Sequence, residues 1–149
     1  MDYQIVELED KVVVGITTNT RNSDKDMPQV ISDLWHRFYD QSYCSAIKNR
    51  KDEKDIGLYS DYKGDEYSAT VCCEVSKAED LPEGTVKKVI PSGKYAKFVV
   101  RGEIMKVVPE FWTKLWAMNI DRKYTADFEE YQAGSTPENA LIHIYVAVN

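Results

Sequence analysis

The 149-residue sequence predicts an α+β fold: a duplicated βαββ repeat with pseudo-twofold symmetry, two main helices on antiparallel sheet, and a central inter-repeat cleft. Three observations predict it. The order strand, helix, hairpin fills the first half of the chain and recurs in the second. The helical stretches carry one pattern twice: Leu34-Trp35-His36-Arg37-Phe38-Tyr39 reads against Phe111-Trp112-Thr113-Lys114-Leu115-Trp116. Each half also closes on a β-branched, aromatic run, YSATVCCEV in the first and ALIHIYVAV in the second.

Taken in order, KVVVGITTNT from Lys11 to Thr20 is β-branched and alternates near its end, as a strand should. A polar loop, RNSDKD, follows. From Met27 to about Tyr43, Val30, Ile31, Leu34, Trp35, Phe38 and Tyr39 recur at three- and four-residue spacing, the mark of an amphipathic helix. The charged stretch KNRKDEKD then leads to a hairpin, with GLYSDY and YSATVCCEV as strands and KGDE as the turn. Residues 77–93 read as a connector, in which TVKKVI alternates and is a candidate for a short extra strand before the turn Pro91-Ser92-Gly93. The second repeat runs KYAKFVVRG, a helix from about Ile104 to Met118, ADFEEYQ, the loop AGSTPEN, and ALIHIYVAV. Pro109 either kinks that helix or marks its first turn. One domain over 1–149 is expected, with repeat one at about 1–76 and repeat two at about 94–149.

Composition narrows the function. A net charge of -6 and a pI near 5.0 argue against direct nucleic-acid binding, which concentrates Lys and Arg on a surface. The N-terminus carries acids where a signal peptide needs a basic region, and no run approaches the ~18 apolar residues of a membrane span. A cytoplasmic protein is expected. Cys44, Cys72 and Cys73 are an odd set without a disulfide pattern, and His36 and His143 have no metal-ligand spacing. The expectation is reduced thiols, no metal site and no cofactor.

Strand DFEEY carries the most informative chemistry. Alternation puts Phe128 and Glu130 on one face and Asp127, Glu129 and Tyr131 on the other, without deciding which faces inward. In the first repeat Leu58 aligns with Phe128, and Tyr59 with Glu129. Ten tyrosines exceed what a dry core accommodates, because each buried hydroxyl needs a partner; Tyr59, Tyr62, Tyr67, Tyr95, Tyr131 and Tyr145 suit an amphipathic pocket. A carboxylate on the floor of such a pocket has two stable states. It stays ionised beside a cation, as in a receptor for cationic aromatics, or it takes up a proton and serves as a general acid or base.

The ordered set VVVGI, DLWHRFY, GLYSDY, VCCEV, IPSGKYAKF, FWTKLW, DFEEY and IHIYVAV resembles the GyrI-like small-molecule-binding domains, also found as the effector-binding half of AraC- and MerR-type regulators. The resemblance covers nearly the whole chain and leaves no room for a helix-turn-helix segment, so it is to the stand-alone form. It implies a pocket between the halves that binds hydrophobic, often cationic molecules against a central glutamate, here Glu129. It also implies pocket roles for Tyr145 and Tyr59. Where many relatives have a second acid this chain has His143, which brings less negative charge.

The leading expectation is therefore a small-molecule-binding protein for aromatic, hydrophobic and cationic compounds, acting in sensing or in toxin and drug resistance. Its expected pocket is Glu129, Tyr59, Tyr145, Trp112, Trp35, Tyr131, His143 and Trp116. A second expectation, implied by a subset of stand-alone relatives, is a hydrolase of cyclopropane-bearing genotoxins with Glu129 and Tyr145 as catalytic groups. A third is a protein inhibitor of DNA gyrase. A protein partner or a homodimer pairing through an apolar edge is compatible with each.

Overall fold

In the computed structural model, which describes residues 1–149, the chain runs β1 (Gln4–Leu8), β2 (Lys11–Arg21), α1 (Met27–Asp40), α2 (Tyr43–Ala46), β3 (Arg50–Lys63), β4 (Glu66–Val75), β5 (Val86–Ile90), β6 (Gly93–Gly102), α3 (Ile104–Trp116), β7 (Arg122–Tyr131) and β8 (Ala140–Val148). The strands form one eight-stranded sheet in the order β1-β6-β8-β7-β3-β4-β2-β5. All pairings are antiparallel. Read from either end the order is the same under exchange of the halves, so the pseudo-twofold axis passes between β3 and β7. Their register pairs Gly57 with Glu129, Leu58 with Phe128 and Tyr59 with Asp127.

The repeat is one strand longer than the sequence suggests. β1 precedes β2 but pairs with β6, and β5 precedes β6 but pairs with β2. Each half thus lends its first strand to the edge of the other, which ties the repeats together at both ends as well as at the β3–β7 seam. The connector contains β5, the TVKKVI strand. The charged stretch KNRKDEKD, given no element by its sequence, supplies the first part of β3 from Arg50; its bulged pairing with β4 between Arg50 and Asp55 hides the alternation that marks a strand.

Three cores follow from the side-chain patterns. Leu34 and Phe38 of α1 bury against Val14, Ile16, Ala69, Val71 and Cys73. Phe111 and Leu115 of α3 bury against Ala96, Phe98, Ile142, Ile144 and Val146. These helix anchors occupy the matching positions of the repeated sequence pattern. The third core contains no helix: Val13, Ile56, Leu58, Cys72, Ile90, Tyr95, Phe128, Tyr145 and Ala147 meet because the sheet curls over its other face. Gly15 permits part of this curl, since a Cβ there would lie 1.9 Å from the Val71 carbonyl oxygen. With both faces covered, β4 and β8 are buried along nearly their whole length.

Helix α3 runs through Pro109. The missing N–H deprives the Met105 carbonyl of its helical partner, but Met105 is 73% exposed, where solvent can replace it. No helix is long and apolar enough to cross a membrane. Phe128, fully buried with its ring stacked on Tyr145 at 4.7 Å and edge-on to Tyr95 at 5.8 Å, anchors the helix-free core. Phe128→Ala is expected to lower the unfolding free energy by about 3–5 kcal/mol, measured by urea denaturation; a change below ~1 kcal/mol would show that this face is not a packed core.

Candidate functional site

The β3–β7 seam lies between α1 and α3, and Glu129 projects from its helix-facing side. The carboxylate is 1% exposed. Its Oε2 accepts hydrogen bonds from Trp112 Nε1 at 2.7 Å and the Tyr59 hydroxyl at 3.0 Å, and its Oε1 accepts from the Tyr131 hydroxyl at 2.9 Å. Each donor comes from a different element, α3, β3 and β7, so the carboxylate cross-links the halves. All three donors are neutral, and no Lys, Arg or His forms an ion pair with Glu129.

Aromatic rings enclose this acid. Trp112 meets Tyr59 edge-on at 5.6 Å, and Trp35 of α1 meets Tyr131 edge-on at 5.0 Å. Trp35 can lie this close because residue 57 is glycine: a Cβ there would fall 3.1 Å from the Trp35 ring and 3.3 Å from Glu129 Oε1. Trp35 and Trp112 are equivalent in the two repeats, so one pair of tryptophans flanks the axis. Their rings, with Tyr59 and Tyr131, are half-buried.

Electrostatics follow from the missing cation. Burial raises the Glu129 pKa above its ordinary 4.5, and the bonds from Trp112, Tyr131 and Tyr59 offset only part of that effect. The Tyr59 and Tyr131 phenols are pushed well up, by burial first and then by the Glu129 charge, and so remain donors. Tyr67, edge-on to Tyr59 at 5.8 Å, is raised to about 12 by the same causes.

Of the expected pocket residues, Glu129, Tyr59, Tyr131, Trp112 and Trp35 come together. Three do not. The β7–β8 register places Ile144 opposite Glu129, so His143 and Tyr145 point to the opposite, helix-free face. There Tyr145 is 8% exposed and stacked on Phe128. Trp116 is 55% exposed at the end of α3 and makes none of the contacts described. Glu130, on the opposite face of β7 with Phe128, is only 6% exposed because the curled sheet covers it. It accepts a 2.9 Å hydrogen bond from Gln132 Nε2 and lies 3.9 Å from Lys54 Nζ and 3.8 Å from His143 Nδ1. Burial, followed by the Lys97 charge, lowers the His143 pKa, which favours its neutral form.

Gly57 was given no role by the sequence reading, although a glycine inside a strand signals close approach of another group. Elsewhere, an open concavity of about 600 Å³ beside α2 and the start of β3 is lined by Cys44, Arg50, Asp52 and Asp55 among others. Arg50 and Asp55 of this lining pair with each other at 2.9 Å.

Fold and site together define a small-molecule-binding domain of the effector-binding class. The sequence pattern of integron-associated effector binding proteins matches residues 4–148, and the chain belongs to that family. The chain is similar to an integron cassette protein from the mobile metagenome of Vibrio cholerae, with 29% identity, 99% of this chain and 95% of that one covered, and a TM-score of 0.79. It also shares the fold of SAV2435, a structure bound to tetraphenylphosphonium, with a TM-score of 0.84 at 21% identity, covering 100% and 94% of the two chains. The transcriptional regulator BrlR of Pseudomonas aeruginosa is 26% identical over 125 residues, which are 79% of this chain and 46% of BrlR. The chain therefore spans about half the length of that regulator.

The raised Glu129 pKa makes stability depend on pH with a definite sign. Below the ordinary value of 4.5 the acid is neutral in both folded and unfolded states; between that value and the raised folded value, folding favours the proton, and stability falls as pH rises. Urea denaturation of wild type and Glu129→Gln across this window should therefore show the wild type losing stability relative to the variant as pH rises, then a constant difference above it. A difference independent of pH throughout would mean that burial does not raise this acid.

Proposed function

We propose that the chain captures aromatic, hydrophobic and cationic small molecules between Trp35 and Trp112, over Glu129, and acts in cytoplasmic sensing or in toxin and drug resistance. The observation that carries this reading is a carboxylate 1% exposed, held by three neutral donors and paired with no cation. A ligand cation would supply the missing counter-charge, and the ring faces would attract the same charge. Because the rings cover Glu129, binding requires Trp35, Trp112 or Tyr131 to swing aside. That requirement suits apolar ligands able to replace the ring contacts.

Tetraphenylphosphonium, seen bound to the structural relative, is the natural first probe. It should quench tryptophan fluorescence on titration, and Glu129→Gln should weaken its affinity by about tenfold or more, the scale of one lost close charge contact. Equal affinity in wild type and variant would remove Glu129 from recognition.

A second reading is favoured by the raised acid among phenolic donors: a hydrolase that adds water across a strained cyclopropane bond, the water oxygen bonding one ring carbon as the ring C–C bond breaks, with Glu129 taking the water's proton and delivering it to the other carbon and Tyr59 and Tyr131 holding the carboxylate. It predicts consumption of a cyclopropane-bearing substrate, followed by chromatography, with turnover abolished in Glu129→Gln while binding persists. Turnover unchanged in that variant would exclude the catalytic role.

A further inference from the structure

The helix-facing floor continues past Glu129. Asp127 lies two residues earlier on the same strand face, a step of roughly 7 Å, and is fully buried. Its Oδ1 accepts the Ala147 N–H at 2.9 Å, and its Oδ2 accepts the Tyr62 hydroxyl and Arg122 Nη2, the latter at 2.6 Å. Between the two acids the aromatic rings are continuous. Tyr59 contacts Tyr67 at 5.8 Å, Tyr67 contacts Tyr62 at 6.0 Å, and Tyr62 contacts Tyr124 at 5.9 Å. The Arg122 guanidinium lies 4.3 Å over the Tyr124 ring, at the outer end of this row, where Tyr124 is 55% exposed.

Arg122 has one unmet demand. Its Nε is buried and finds no acceptor within the protein, although Nη2 is satisfied by Asp127. Buried donors without partners are few in folded proteins, because each costs most of a hydrogen bond. The two ends of the row therefore have complementary requirements: Glu129 holds acceptor oxygens and no cation, and Arg122 holds a donor and no acceptor, which a ligand reaches once the exposed Tyr124 ring lying over the guanidinium moves aside.

We propose that the site has a second recognition point at Arg122, and that its ligands are flat, elongated aromatics with a cationic or donor group at one end and a neutral acceptor at the other. The acceptor is neutral, a carbonyl or amide oxygen, because Asp127 already balances the guanidinium charge. A second anion would instead meet the carboxylate of Asp127 at close range. This inference rests on Glu129 being the binding site; it adds the polarity and length of what binds there.

Three fluorescent ligands separate the two claims: 9-aminoacridine, its 2-carboxamide, and its 2-isopropyl derivative, which matches the carboxamide in shape without an acceptor. Anisotropy titration of the wild type should give the carboxamide about tenfold tighter binding than the isopropyl compound, as expected of one charge-assisted hydrogen bond. Arg122→Lys keeps a cation beside Asp127 but removes Nε, and should bring the two derivatives to equal affinity. Glu129→Gln should weaken both derivatives by the same factor. Equal affinity of the two derivatives for the wild type, or a preference that survives Arg122→Lys, overturns the Arg122 claim while leaving the Glu129 reading intact. If none of the three binds, both claims fall. Should Arg122→Lys fail to fold in a thermal melt, the wild-type comparison decides alone.

Discussion

A single buried carboxylate without a counter-ion governs the arrangement at the centre of this protein. Glu129 sits 1% exposed at the β3–β7 seam, where any charge is expensive to desolvate. The protein meets part of that cost with three neutral donors taken from α3, β3 and β7. Neutral donors stabilise the ionised form without cancelling its charge, so the site stays electrostatically unbalanced. The aromatic shell excludes the water that would otherwise restore the balance. A folded structure that tolerates such a group keeps a standing preference for a cation or a proton at that point.

The duplication explains how the site is built. Two equivalent helices place equivalent tryptophans on either side of the axis, while the floor positions have diverged: glycine and tyrosine on β3 face glutamate and aspartate on β7. Gly57 leaves the space that Trp35 fills, and Tyr59 supplies a hydroxyl to the acid that occupies its equivalent position in the other repeat. Symmetry thus provides the enclosure and asymmetry provides the charge. The exchanged edge strands β1 and β5 hold the halves in this relation from the outside.

Much of this was legible in the sequence because it depends on local periodicity. Helical spacing put Leu34, Trp35 and Phe38 on one apolar face, and the repeated pattern matched them to Phe111, Trp112 and Leu115; the structure divides that face into the anchors Leu34, Phe38, Phe111 and Leu115 and the tryptophans beside the seam. Period-two alternation separated Glu129 from Glu130. What was not legible depends on contacts distant along the chain. The exchange of β1 and β5 leaves no mark on either strand's own pattern. Burial of Glu130 requires the sheet to curl, and assignment of His143 and Tyr145 to the far face requires the β7–β8 register, which alternation within one strand does not supply. The family resemblance grouped those two residues with Glu129, whereas the register separates them.

The same constraint connects fold to ligand choice. The sheet's helix-free face is closed by Phe128, Tyr95 and Tyr145, while the helix-facing side carries the rings, Glu129, and the paired Asp127 and Arg122. Recognition of a cation would then be coupled to the protonation of one residue. The most direct measurement is the pKa of Glu129, read from its side-chain carboxyl carbon by NMR titration with and without saturating tetraphenylphosphonium. A desolvated Glu129 without a counter-ion should titrate above 4.5 in the free protein and fall when the cation binds. An unshifted value in the free protein, or one that binding leaves unchanged, would contradict recognition of the cation by this carboxylate.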